Sequence, residues 1–301
     1  MIKYIICILT ITLLLLGCAK DDNSKESDAD ITEPDTVTEP TSTPTTEPTT
    51  EPTPEPTPEA TPTPTPNPDL VLPQVINDSG KVRIQTASIS TSYPYNSYVI
   101  SSVNGENVVV DPTAMPPKNI VDINPVAILS THPHKDHVDD AFIESYDCHV
   151  ILYEKAEIQT NDFNIYTIWS SHNNDLIQES NQNVIIVLEV DGLRIAHMGD
   201  IGQTELTKEQ LTELGEIDIA FMQFENGYSS MSLRNEKGFN LIEQLNPTIV
   251  IPTHYSLSSI PVFEERYGSI TEVKNILEIT KDELPEGSLN VYRILNEHKY
   301  R

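Results

Sequence analysis

"STHPHKDHVDD" (residues 130–140) places three of the chain's eight histidines and three aspartates within eleven positions. It overlaps the end of "PVAILST" (125–131), a continuous apolar run of the kind a strand buried on both faces presents. The stretch therefore reads as the tip of a buried strand turning into a loop crowded with ligand side chains. His132 and His134 are two apart, so in an extended turn both rings can point the same way. Asp136 and His137 follow on the turn and can face a second centre. Neutral imidazole is the commonest protein ligand for metals, and aspartate oxygens suit zinc as well.

The same pattern recurs along the chain. "NIYTIWSS" (164–171) ends in His172, "LRIAHMG" (193–199) ends in Asp200, and "TIVIPT" (248–253) ends in His254. Open αβ sheets bind ligands beyond their strand ends, where the backbone holds loop residues firmly. Five of the eight histidines occupy such places. Seven residues suffice for two metal ions that share a carboxylate and a water, and such a pair can activate the water and stabilise a leaving oxygen.

Further along, "FENGYSSMS" (224–232) joins a strand to a helix, which makes Asn226 and Tyr228 candidates for substrate contact. The Tyr255 hydroxyl could reach a substrate or pack against the sheet edge. His197 reads as a hydrogen-bonded core histidine, with an orienting role behind the ligands as the alternative. Lys135 and Lys237 read as solvated, and His149 and His298 as structural.

The surrounding residues predict sheets covered by helices. Strand-like runs lie at 81–89, 97–103, 106–112, 149–154, 183–190 and 217–223, besides those already named. Asn-Gly in "VNGEN" (103–107) and "VDG" (190–192) predict hairpin turns. Helical patterns are "TKEQLTELG" (207–215), with Thr207 as cap, and "SLRNEKGFNLIEQLN" (232–246), with Ser232 as cap. Leu233, Phe239, Leu241, Ile242 and Leu245 form the apolar side of the second. "TEVKNILEIT" (271–280) is read as a third helix. Residues 69–301 are long enough for one large domain with a substantial core.

The N-terminal part differs in kind. Lys3 and the short apolar run "IICILTITLLLL" (5–16) make a processing segment too short to span a bilayer stably. It ends "LLGCAK", which resembles the lipobox of bacterial lipoproteins. That resemblance implies cleavage before Cys18 and a lipid on its sulfur, hence a signal peptide over 1–18 and anchoring on the extracytoplasmic face of a cell membrane. Residues 19–68, almost only Thr, Pro and Glu in their second half, have too few apolar side chains to fold and read as a disordered stalk. Cys148 is then left without an intramolecular disulfide partner and reads as a small buried residue. Net charge is −28, with −11 in residues 21–68 and −19 in residues 69–301. A surface this negative repels phosphate backbones, so nucleic acid is not an expected partner, and the same charge aids solubility.

His-x-His-x-Asp-His at 132–137, then His172, Asp200 in "HMGDIG" and His254 in "IPTHY", resembles the metallo-β-lactamase-fold hydrolase superfamily over residues 80–260. "PTHY" and the short spacings look most like the branch related to ascorbate-6-phosphate lactonase and other small zinc-dependent hydrolases. The resemblance implies an α/β fold, an αββα sandwich with the site at one edge of the paired sheets. It implies that His132, His134 and His172 hold one metal, that Asp136, His137 and His254 hold the other, and that Asp200 bridges. It also implies two Zn2+ ions, with Mn or Fe as substitutes, and a bridging hydroxide acting on a small-molecule ester, lactone or phosphodiester, with Asp136 and Asp200 as the catalytic carboxylates. Aspartate at position 200 departs from the pattern of true β-lactamases. The rival reading is a non-catalytic metal-binding display module carried on the lipid-anchored stalk.

Overall fold

A computed structural model describes residues 72–73, 75–178 and 182–298. The predicted signal peptide with Cys18 and the stalk over 19–68 lie outside the described residues.

Two sheets face one another. The first has the order β13 (Ile276–Ile279), β1 (Val82–Thr86), β2 (Tyr98–Ser101), β3 (Asn107–Val110), β4 (Pro125–Ser130), β5 (His149–Leu152). The second runs β12 (Thr271–Lys274), β14 (Asn290–Leu295), β11 (Ile249–Thr253), β10 (Ile219–Gln223), β9 (Leu193–His197), β8 (Gln182–Val190), β7 (Phe163–Ser171), β6 (Glu157–Gln159). Both predicted hairpins form: β2 pairs antiparallel with β3, and β8 with β9. Ladders β3–β4, β4–β5, β9–β10 and β10–β11 are parallel, so several strand ends point to the same edge.

Side-chain alternation builds the layers. Val184, Ile186 and Leu188 of β8 pack between the sheets with Ile84, Ile100, Val108 and Leu129 of the opposing sheet. Ile185 and Val187, one residue out of phase, face away and pack beneath the helices. A strand buried on both faces must be apolar throughout, which is why "VIIVL" shows no period of two. Phe239, Leu241, Ile242 and Leu245 of α3 (Lys237–Leu245) and Phe263 of α4 (Ile260–Tyr267) cover that outer face. Val99, Val109 and Ile128 face outward from the first sheet, beneath Met115, Ile123 and Phe142 of α1 (Asp140–Ile143). The result is the expected αββα sandwich.

Helix α2 (Lys208–Leu214) begins at Thr207 as predicted. Thr207 Oγ1 accepts from Gln210 N at 3.1 Å, and Gln210 Oε1 accepts from Thr207 N at 2.9 Å. Two orphan donors are thereby satisfied. Thr207→Ala should lower the unfolding free energy by about 1 kcal/mol in urea denaturation of the full chain, with turnover unchanged.

Two helical readings need correction. Helix α3 starts at Lys237, not after Ser232, because Glu236 lies in the left-handed region (φ 55°) and Ser232 instead closes a turn with Asn235. Residues 271–280 are not helical. Thr271–Lys274 pairs with β14, and Ile276–Ile279 pairs antiparallel with β1. Asn275 between them has φ 56°, which a continuous helix would not allow. β-branched Thr271, Val273, Ile276 and Ile279 suit the pleat, and Glu278 reaches Arg83 across β1.

Candidate metal centre

The seven predicted residues converge where strands of both sheets end. β4 leads into the 132–137 turn, β7 into His172, β9 into Asp200 and β11 into His254. Ligand atoms of His132, His134, His172 and Asp200 all lie within 4.8 Å of one another. So do those of Asp136, His137, Asp200 and His254. Asp200 is the member common to both groups, lying 3.4 Å from His132 Nε2 through Oδ2 and 3.1 Å from His254 Nε2 through Oδ1.

The ring nitrogens converge in close pairs. His132 Nε2 and His134 Nδ1 are 3.1 Å apart, and His137 Nε2 and His254 Nε2 are 3.2 Å apart. His172 Nε2 and Asp200 Oδ1 are buried and, among the described residues, take no hydrogen bond. His172 Nε2 lies 3.7 Å from Asp200 Oδ2, and Asp200 Oδ1 lies 3.1 Å from His254 Nε2. Buried polar atoms without partners are costly, and a cation bound between them would satisfy them. Nitrogen and carboxylate oxygen donors in groups of four, one shared, fit two divalent cations of the zinc, manganese or iron type.

Beneath these donors lies a brace absent from the sequence-based expectations. Asp111 follows β3, is fully buried and has φ 47°. Its Oδ1 accepts from Thr131 N at 2.7 Å. Its Oδ2 lies 2.7 Å from His137 Nδ1 and 2.5 Å from His197 Nε2. Burial alone would raise this carboxyl. The charges of His137 and His197, with their hydrogen bonds, outweigh burial and hold it far below the usual carboxylate range. An ionised carboxylate only accepts, so His137 donates Nδ1–H to Asp111. Burial works against a second proton, but the charges of Asp111 and Asp200 outweigh it and hold the ring well above the usual imidazole range, so a cation at the second donor group would take the place of the Nε2 proton. Thr131 Oγ1 donates to Asp111 and therefore accepts from His132 Nδ1 at 3.0 Å, which frees His132 Nε2. Burial, helped by the nearby charge of His137, pushes His132 well below the usual imidazole range and keeps it neutral. His197 is thus a buried, hydrogen-bonded histidine whose partner is the brace itself. "VVVDP" (108–112) carried the signal, an acid closing an apolar strand, but nothing in the sequence linked it to His137.

Asp200 is held from two sides. Its backbone N donates to Asn183 Oδ1 at 3.0 Å, and its Oδ2 accepts from Asn226 Nδ2 at 2.6 Å. Asn226, a candidate for substrate contact, is 8% exposed and orients this carboxylate. Burial would raise Asp200, but the charges of His137 and His254 hold it well below the usual range. Tyr255 does pack, stacking on Tyr95, and its hydroxyl accepts from Arg293 Nε at 2.8 Å. Lys237 is not simply solvated, since its Nζ donates to Gly202 O at 2.9 Å. Tyr228 is 83% exposed beside the His134 ring.

At Gly202 the loop after Asp200 passes close to other backbone. A Cβ there would sit 2.2 Å from His172 O and 2.5 Å from Ser229 O. Gly202→Ala must therefore displace main chain on both sides. A loss of about 2 kcal/mol or more in thermal unfolding is expected, together with weaker metal binding through His172.

A family described as "Beta-lactamase superfamily domain" matches residues 91–254, a span that holds all seven donors and the brace. The fold is similar to that of a Thermotoga maritima protein assigned as a zinc-dependent hydrolase of the metallo-beta-lactamase superfamily, with a TM-score of 0.52, 20% identity and coverage of 71% of this chain and 98% of that one. It is also similar to a protein from Parabacteroides distasonis assigned as a metal-dependent hydrolase, with a TM-score of 0.50, 19% identity and coverage of 72% and 94%. No curated protein matches the chain in sequence. With more than half of its length matched and the sandwich in place, the chain belongs to the metallo-β-lactamase superfamily.

Proposed function

We propose that the protein is a di-metal hydrolase, carried on a stalk and anchored by lipid at Cys18 to the extracytoplasmic face of a bacterial membrane. Its substrate would be a small molecule with an ester, lactone or phosphodiester bond. The observation that carries the reading is the shared Asp200: two donor groups of four residues meet at one buried carboxylate. A structural zinc site closes its four-coordinate shell, whereas a pair of groups joined in this way suits catalysis, which disfavours the display module. The lipid anchor rests on Lys3, the apolar run and Gly17-Cys18.

Two zinc ions, when bound, would supply Lewis acidity and a water of lowered pKa. The chain's own residues do the remaining work. Asp111 and Thr131 fix the proton positions of His137 and His132, so that the right ring nitrogens face inward. Asn226 and Asn183 hold Asp200 from its side chain and its backbone. The Asp136 side chain is 19% exposed against 2% for Asp200. Although its partial burial works the other way, the hydrogen bond and charge of His137 hold it below the usual carboxylate range, so Asp136 stands ionised as the more accessible carboxylate, able to accept a hydrogen bond from the attacking water.

The test uses the lipidated chain in detergent, loaded with zinc, against chromogenic esters, lactones and bis(nitrophenyl) phosphate. Turnover of one class that disappears with a chelator and returns with zinc is expected. Turnover indifferent to chelation would refute the reading. Cys18→Ser should move the protein from the membrane fraction to the soluble one; unchanged partition would refute the anchor.

A further inference from the structure

A cavity of about 320 Å³ lies between residues 92–96, just before β2, and residues 254–256, just after β11. It adjoins the second donor group. Its lining includes His254 itself and Asn96, whose Nδ2 is 3.0 Å from His254 Nε2 and 3.3 Å from Asp136 Oδ2. Three tyrosines form its walls. Tyr95 and Tyr255 stack with ring centroids 4.9 Å apart, and Tyr93 is 46% exposed. One carboxylate, Glu225, lines it, and no lysine or arginine does.

Glu225 is placed with one oxygen committed. Oε2 accepts from Ser256 N at 3.0 Å and Ser256 Oγ at 2.6 Å, and from Ser259 Oγ. Among the described residues, no donor reaches Oε1. The nearest cation behind the wall is already engaged: Arg293 donates to the Tyr255 hydroxyl and pairs with Glu272. Arg293 also lies 5.6 Å from the Tyr255 ring centroid, outside the cavity lining. Within the lining, tyrosine rings around a single carboxylate, with no lysine or arginine, are chemistry that recognises an organic ammonium group. An anionic group there would meet Glu225 inside a domain whose net charge is −19. The volume falls at the lower end of the range for small-molecule sites, roughly 300–1,000 Å³.

We propose that this cavity binds a positively charged organic ammonium group on the part of the substrate remote from the bond that is broken. As a statement about substrate it rests on the hydrolase reading. As a statement about binding it does not.

Three 4-nitrophenyl esters separate the possibilities: 4-(trimethylammonio)butanoate, its uncharged isostere 5,5-dimethylhexanoate, and the anionic glutarate monoester. With the zinc-loaded chain, kcat/KM for the ammonium ester should exceed that of the isostere about tenfold, and the glutarate ester should be poorest. Glu225→Gln and Tyr93→Ala should each bring the ammonium-to-isostere ratio close to one. Tyr93 is exposed, so its variant keeps the test decisive if the first misfolds. Hydrolysis without preference for the ammonium ester, or preference for glutarate, would overturn the inference and leave the hydrolase reading standing. If no ester is turned over, that reading fails, and binding decides the inference alone. Benzyltrimethylammonium should quench tyrosine emission saturably in the native chain and not in Glu225→Gln. Absence of quenching in the native chain would overturn it.

Discussion

Replacing Asp200 with alanine is expected to lower kcat/KM by more than about 100-fold, beyond what changes behind a metal ligand usually bring. Bound metal should fall from two ions per chain to one or none. The size of the effect follows from position. Asp200 is the single carboxylate within reach of both donor groups, and its two oxygens face different histidines. Removing it also leaves Asn226 Nδ2 without its acceptor inside the protein. Metal content by mass spectrometry and turnover of the best ester are the two readouts. A variant that retains two ions and full activity would show that Asp200 does not join the groups.

The second large effect is expected at Asp111, which touches no substrate. In Asp111→Asn the amide oxygen must stay with Thr131 N, which can only donate. The new amide NH2 then faces His137 Nδ1 and His197 Nε2, where Asp111 Oδ2 had accepted. His137 must respond by giving up its Nδ1 proton and keeping one on Nε2, the atom that should offer a lone pair to the second group. Metal affinity should drop by about 10- to 100-fold. Nitrogen-15 NMR should show His137 Nδ1 protonated in the native chain and unprotonated in Asp111→Asn. Asp111→Ala removes the acceptor from both buried histidines and should cost about 3–5 kcal/mol of stability, as breaking a buried charged pair does. Unchanged metal affinity and a His137 Nδ1 still protonated in Asp111→Asn would contradict this account of the brace.

What could be read from the sequence was what local order carries. Four of the seven donors sit within six consecutive residues, and each of the other three follows an apolar run that could only be a strand. Once the strands are parallel, their ends gather at one edge, and convergence follows from topology. Asp111 obeys the same grammar as Asp200, but its role depends on which strand lies beside β4. That fact belongs to sheet order, not to spacing. Asn226 stands out in its loop, but its bond to Asp200 is a tertiary fact that spacing does not carry. The segment 271–280 shows the opposite failure. Val273, Ile276 and Leu277 recur with helical spacing, yet two neighbouring strands, β14 and β1, claim its halves, and tertiary pairing overrides a weak periodicity. The start of α3 was misplaced for a smaller reason: left-handed Glu236 interrupts a run that otherwise reads as helix.

The central claim is that five imidazoles and two carboxylates enclose a pair of ions. Anomalous diffraction at the zinc edge, from crystals of the zinc-loaded chain, addresses it directly. Two peaks are predicted, one against His132, His134 and His172 and one against Asp136, His137 and His254, with Asp200 in contact with both. A single peak at saturating zinc, or peaks that leave Asp200 uncoordinated, would contradict it.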